Sequence, residues 1–273
     1  MDKNYLLEVD RWSLVIETTD PIIGKKVDPF LDTTTIKIML GEPSYGMIDC
    51  TAHDNRLDTY MEYARLETRS KFKFFTGNVG RCGVNYAREM IADEAMAQNM
   101  DYLFMIDDDM LIPKHCFEKV FQTMQEYKAD MASPVCTQRL YPYNPVMYKH
   151  FWEKDVNGVS QLHNRFIEDY APNSVVTVDG IGFGVVLISV PFLRKLKAIM
   201  KHGMFFSNTN VGEDIFFCIA ARQNLNAKIV VDTSVKVGHL RHQEPVFERD
   251  FVKAKGLGEK FKEIYPVPLQ TIS

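Results

Sequence analysis

The chain lacks several features that would class it at a glance. No CxxC pair occurs, and the cysteines number five: Cys50, Cys82, Cys116, Cys136 and Cys218. An odd count without paired spacing argues against a disulfide framework or a structural zinc site and points to a reducing cytoplasm. No apolar run reaches the ~20 residues that a helical bilayer span needs. The opening MDKNYLLEVDRWSLVIE sets acids inside its apolar stretch and offers no small-residue cleavage site, so no signal peptide is read there. An excess of one charge is also missing: 32 Lys+Arg stand against 36 Asp+Glu, a net charge of −4. No global basic field favours sequence-independent nucleic-acid binding, which leaves only a local basic patch open. Internal repeats and low-complexity tracts are absent as well.

What is present is an ordinary globular composition over 273 residues, with 46% hydrophobic and 25% charged residues. That suffices for one large α/β domain with small additions. Residues 1–35 read as an N-terminal extension, with Trp12–Thr18 as a candidate strand and prolines breaking the rest. Ile36–Leu40 reads as a strand ending at Gly41, Pro43 and Gly46, and Lys71–Phe75 as a second. Helices are expected over Leu57–Thr68, over Gly83–Asn99, where Val84, Ala87, Met90, Ile91 and Ala95 fall at helical spacing, and from Pro113 to about Lys128. Tyr102–Ile106, Asp130–Val135, Val146–Phe151, Val175–Val178 and Val185–Val190 read as strands. Pro191 opens a helix, and Glu213–Gln223 forms another with Ile215, Phe216, Ile219 and Ala220 inward. Lys228–Val231 and Ser234–Val237 read as two short strands before His239. Residues 243–273 form a charged, Pro-containing tail, read as mobile. Helices alternate with strands in the first half and thin out in the second. This suggests a nucleotide-binding half, about 36–135, and an acceptor half, about 136–242.

The strongest chemical signal is Ile106-Asp107-Asp108-Asp109-Met110. A buried strand delivers three carboxylates to its end, where adjacent like charges repel and burial is costly. A divalent cation, Mn²⁺ or Mg²⁺, removes that cost and takes carboxylate and phosphate oxygens together. In an extended chain Asp107 and Asp109 point one way and Asp108 the other. The plain alternative is a solvated turn with Asp109 capping the next helix. Glu213-Asp214 opens a helix after an Asn/Gly-rich loop, so one of the two could accept a proton from an acceptor hydroxyl. Acids in a first helical turn are also ordinary dipole chemistry. Gly238-His239-Leu240-Arg241-His242 offers a metal-ligand or phosphate-binding histidine, with Arg241 and His242 to neutralise phosphates; a structural histidine is the alternative. Gly180-Ile181-Gly182-Phe183-Gly184 precedes an apolar strand rather than a helix, so it lacks the context of a dinucleotide loop. It reads as backbone approaching a substrate, or as a turn. Arg81 and Arg88 flank a helix start and could reach a diphosphate or lie on the surface. Pro43-Ser44-Tyr45 follows the first strand, where a base could stack on Tyr45.

The set Ile38–Tyr45, Ala87-Arg88, Tyr102–Pro113, Gly180–Leu187, Gly212–Phe217 and Gly238–His239 resembles the GT-A superfamily of glycosyltransferases. Within it, the set is most like the family-2-like cytoplasmic enzymes of bacteriophages and bacteria. The resemblance covers about residues 36–242. It implies an α/β fold, a GT-A-type Rossmann-like mixed sheet flanked by helices, that moves a sugar from a nucleoside-diphosphate donor (UDP above all) to an acceptor hydroxyl. It implies that Asp107 and Asp109 hold Mn²⁺ or Mg²⁺ with the donor diphosphate, that Asp108 contacts the sugar or ribose, and that His239 is the third metal ligand. Pro43, Ser44 and Tyr45 would hold the base, and Gly182–Gly184 would line the donor-sugar and acceptor pocket. Asp214, or Glu213, would be the base of an inverting reaction. Where relatives often carry Arg-Asn, this chain has Arg88-Glu89.

Rival readings fit less well. A phosphatase would want a small flexible turn where Met110-Leu111-Ile112-Pro113 stands, and a nucleotidyltransferase a basic Gly-rich loop in place of Glu42-Pro43-Ser44-Tyr45. A non-catalytic nucleotide-sugar-binding relative would not need the whole acid-histidine set. For the acceptor, phage relatives point to hydroxymethylated bases in DNA. The aromatic-basic stretch of Arg139, Tyr141, Tyr143, Tyr148, Lys149, His150, Phe151 and Trp152 could stack bases and touch phosphates. The stretch also reads as an ordinary strand, and surface polysaccharide or a protein hydroxyl is the alternative acceptor.

Overall fold

The computed structural model describes residues 35–44, 49–80, 82–154, 160–200, 203–207, 211–241, 244–261 and 264. The expected strand at Trp12–Thr18, Tyr45, Arg81, His242 and the loop 208–210 lie outside the described residues. The elements follow in the order β1 (Ile36–Ser44), α1 (Cys50–Arg69), β2 (Phe72–Gly80), α2 (Val84–Ala97), β3 (Tyr102–Ile106), β4 (Met110–Leu111), α3 (Cys116–Tyr127) and β5 (Met131–Val135). Then come β6 (Met147–Lys154), β7 (Ser160–Phe166), β8 (Val175–Val178), β9 (Gly180–Ile181), β10 (Val185–Ser189), α4 (Val190–Ile199) and α5 (Glu213–Leu225). The last described elements are β11 (Ile229–Lys236), β12 (Gly238–Arg241), β13 (Glu244–Val246) and α6 (Glu248–Ala254).

Seven strands form one mixed sheet in the order β2-β1-β3-β10-β5-β11-β8. β1, β2 and β3 run parallel, as do β5 and β11, while β10 and β8 run against their neighbours. Alternation along each strand feeds two cores. Ile38, Leu40, Phe104 and Ile106 face α1 and α3; Met39, Leu103 and Met105 face α2, α4, α5 and α6. The first face is closed by an aromatic cluster: Phe117 meets Phe72, Phe74 and Phe104 edge-on at ring-centroid distances of 5.2, 5.0 and 5.5 Å. Such pairs each add about 0.5–1.5 kcal/mol beyond the area they bury. On the other face α2 presses on β1 at Gly41, where a Cβ would meet the Ile91 side chain at 2.6 Å. Glycine there permits the close approach. Among the described residues no helix is long and apolar enough to cross a membrane.

Several boundaries differ from the expectation for definite reasons. α1 begins at Cys50 rather than Leu57 because Asp49 caps it, its side chain accepting from Thr51 N at 2.8 Å. β1 runs through Pro43 to Ser44 because β3 pairs with it only as far as Gly41↔Met105. Beyond that point β2 is the one strand still paired with β1, an edge-like position in which a strand proline is tolerated. Pro113 does not open α3; Met110 and Leu111 first pair with β12, and the helix begins at Cys116. In α5 the buried face is Ile215, Phe217, Cys218, Ala220 and Ala221, so Phe216 and Ile219 are not its core positions. The two short strands expected near 228–237 merge into β11, with an irregularity between Asp232 and Lys236. The expected mobile tail is a packed segment across 244–261: Phe251, Val252 and Phe261 are buried in the core, and Tyr170 donates to Glu248 at 2.9 Å.

Candidate active site

A cleft of about 430 Å³ opens at the C-terminal ends of β1 and β3. Asp107, Asp108 and Asp109 form its floor, with Pro43, Arg88, Gly182, Glu213, Asp214 and His239 around them. Segments far apart in sequence thus converge. Asp109 and His239 are 130 residues apart, and Arg88 and Glu213 are 125. Ser44 ends β1 without lining the cleft; of Arg241 only the backbone, in β12, is described.

The acidic triplet is not an extended strand end. β3 stops at Ile106, Asp107 N is held by Gly184 O at 2.8 Å, and Met110 N returns to Asp107 O at 3.2 Å. This turn overrides the alternation expected of a strand, so all three aspartates line the cleft. They also meet different partners. Asp107 accepts from Arg88 Nη2 through both oxygens, at 2.7 and 2.9 Å. Asp109 Oδ2 lies 3.0 Å from Arg139 Nη1 and 3.2 Å from His239 Nε2.

Arg88 is not the surface arginine that was the plain alternative; it lines the cleft from within the fold. Its side chain is 3% exposed, because it occupies the core-facing stripe of α2 with Ala87, Ile91, Ala92 and Ala95. It bridges Asp107 and Glu213, lies 5.6 Å from the centre of the Phe183 ring, and keeps a buried Nε without a hydrogen-bond partner. Burial works against its charge, but Asp107 and Glu213 outweigh that and raise its pKa. The backbone of Asp107 has its own support. Arg56 Nη2 donates to Asp107 O at 2.8 Å, and Arg56 Nε pairs with Glu42 at 2.9 Å. Neither Arg56 nor Glu42 was marked by the sequence reading, since 14 residues separate them and no local pattern joins them.

The remaining acids divide by environment. Burial pushes Asp107 above the usual carboxylate range, only partly offset by Arg88. Asp109 is also raised by burial, but hydrogen bonding to His239 and the charges of His239 and Arg139 outweigh it, leaving the carboxyl below its ordinary value. Asp214 is pushed up to about 6 by burial, against the nearby Arg88 and with the adjacent Glu213 adding to the rise. Glu213 has Arg88 as its ion-pair partner, whereas Asp214 makes no ion pair among the described residues and accepts from Ile215 N at 2.7 Å. Gly182 permits a close approach of Val146: a Cβ there would meet the Val146 side chain at 2.9 Å and Asp214 Oδ2 at 3.6 Å. Cys136 also lines the cleft, but burial pushes its thiol up to about 12, so it offers no thiolate nucleophile near neutrality.

Part of this set fits a divalent cation. His239 Nδ1 lies 2.8 Å from Thr137 O, a contact that requires Nδ1 to carry the hydrogen. Nε2 then faces Asp109 Oδ2, so either a proton on Nε2 or a cation must reconcile the two lone pairs. A carbonyl-anchored imidazole with its other nitrogen aimed at a carboxylate is a fitting start for a metal site. Asp109 and His239 fit; Asp107, whose two oxygens both receive Arg88, does not converge with them here. Among the described residues, only Glu62, His115 and Glu118 bring three donor atoms within 4.8 Å of one another, and none of these lines the cleft.

The aromatic-basic stretch is divided by the fold. Arg139 turns into the cleft, Tyr141 is exposed at the tip of the same loop, and Lys149, on β6 in a separate sheet with β7 and β9, pairs with Asp179. Family models give no match to the chain, and neither do curated proteins. Among solved structures, A197 from STIV superposes with a TM-score of 0.48 at 19% identity, over 76% of this chain and 86% of that one.

Proposed function

We propose that the chain is a cytoplasmic, metal-dependent glycosyltransferase that moves a sugar from a nucleoside diphosphate, with uridine as the expected base, to an acceptor hydroxyl. One observation carries this reading. Acids after β3, the acid pair opening α5 and the histidine of β12 converge in a single cleft at the C-terminal ends of parallel strands, where such sheets bind ligands. Asp109 and His239 would hold Mn²⁺ or Mg²⁺ together with oxygens of the donor diphosphate. Bound there, the ion supplies Lewis-acid stabilisation of the departing diphosphate.

The chain's own residues do the rest. Asp214, raised to about 6 and without an ion-pair partner among the described residues, is the proton acceptor. It takes the hydroxyl proton as the acceptor oxygen bonds to the anomeric carbon. The bond from that carbon to the phosphate oxygen breaks, and its electron pair leaves on the diphosphate, with inversion. Glu213 is neutralised by Arg88 and so positions rather than accepts. Pro43 and Gly182 shape the walls that receive nucleotide and sugar.

The test is release of free nucleoside diphosphate from a panel of nucleotide sugars with Mn²⁺. Hydroxymethylated DNA, polysaccharide and protein serve as separate acceptor arms. Release with at least one donor, abolished in Asp109→Ala with the fold intact, supports the reading. Full release in Asp109→Ala, or pyrophosphate as the product, removes it. Release in the DNA arm alone assigns modified DNA as acceptor.

A further inference from the structure

Arg139 enters the cleft from a loop whose geometry ties it to the cation-binding pair. Thr137 and Pro145 close the loop as a bridge, Gln138 N donates to Asn144 O at 2.9 Å, and Tyr143 N donates to Leu140 O at 2.8 Å. The base of this loop is also the group that orients His239, because Thr137 O receives its Nδ1–H at 2.8 Å. Two residues on, Arg139 Nη1 reaches the same oxygen of Asp109 that His239 faces, at 3.0 Å. Yet Arg139 is 54% exposed, while Arg88, the partner of Asp107, is 3% exposed. An exposed pair is worth little and exchanges easily; a buried one does not.

We infer that Arg139 is a stand-in cation: it holds Asp109 Oδ2 until a divalent ion takes that oxygen, and it then turns its guanidinium to the donor diphosphate. This deepens the proposed function and rests on it. A divalent ion on Asp109 Oδ2 competes with the guanidinium for that oxygen and repels it at such distances. Displaced from Asp109, a guanidinium on an anchored loop beside the cleft is left next to the one anion the site must receive, and its fork suits phosphate oxygens. The opposing roles give the residue an unusual signature. Its removal should strengthen binding of the bare ion and weaken binding of the diphosphate.

The experiment measures Mn²⁺ alone, by loss of the free-ion EPR signal, and uridine diphosphate at saturating Mn²⁺, by calorimetry. The chains compared are the wild type, Arg139→Ala, Arg139→Lys and Asp109→Ala. In Arg139→Ala we expect Mn²⁺ alone to bind about threefold or more tightly and uridine diphosphate about tenfold more weakly, with Arg139→Lys between. The inference is overturned if the two affinities move in the same direction, or if neither moves while Asp109→Ala loses Mn²⁺. If wild type and Asp109→Ala bind Mn²⁺ alike, the cation reading of the cleft fails and takes this inference with it.

Discussion

Two arginines each hold one aspartate of the same turn, and the difference between them separates framework from working part. Arg88 is sealed beneath Phe183 and bridges Asp107 to Glu213, joining the end of β3 to the start of α5. Arg139 reaches Asp109 from an exposed loop. The chemistry of the two pairs is alike, but the surroundings are not. The two aspartates are similarly exposed, so the difference lies in the arginines: a shielded guanidinium is hard to replace and leaves uncompensated charge when removed, whereas solvent replaces an exposed one at small cost. The buried clamp therefore fixes the geometry of the cleft, and the exposed one is free to exchange partners.

The largest effect is expected at the buried arginine. Arg88→Ala leaves Asp107 and Glu213 unneutralised and should lower stability by about 3–5 kcal/mol in denaturant unfolding. A loss below about 1 kcal/mol would mean that solvent reaches the clamp and that the contrast with Arg139 is false. Asp214→Asn comes next and should act in opposite senses on rate and stability. Turnover should fall by about 10²-fold or more if Asp214 takes the proton. Stability near neutral pH should rise, because the folded carboxyl is raised to about 6 from an ordinary 3.8. The folded state then binds the proton more tightly than the unfolded chain, so this group's contribution falls as pH climbs from 3.8 to about 6. Thermal melts between those limits should show a shallower decline in the variant, and the wild-type rate should rise through about pH 6.

Asp109 supplies the opposite sign. Its carboxyl is held below 3.8, so its contribution is full above that value and is lost as pH falls through the lowered pKa. Asp109→Asn should remove that acid-side loss while leaving the decline due to Asp214 untouched, which acid titration of Tm can read. The smallest effect is expected at the surface. Arg139→Ala should change stability by less than about 1 kcal/mol, measured by the same unfolding curves. A larger loss would make Arg139 part of the framework.

Much of this was legible in the chain. The β3 strand and its three acids, Glu213-Asp214 at a helix start and His239 after a strand were all marked, because burial of an apolar strand and charge at its end leave a direct trace in residue order. One further signal was present but unused. Arg88 falls among Ala87, Ile91 and Ala95 on the apolar stripe of α2, and a cation in such a stripe must find buried acids. Other features left no local trace. Glu42 and Arg56 meet across a loop, and Arg139, marked only for an acceptor, reaches Asp109 because the 137–145 loop folds back over the cleft.

The order of residues alone determined the layered α/β architecture, since alternation in strands and periodicity in helices are read from neighbours in the chain. Only the tertiary structure decided which acid met which cation. Ion pairing depends on distance and on the exclusion of water, and both arise when the faces of the sheet are covered. That is why three adjacent aspartates, equivalent in sequence, end with different partners: Asp107 with Arg88, and Asp109 with His239 and Arg139, while Asp108 lines the same cleft.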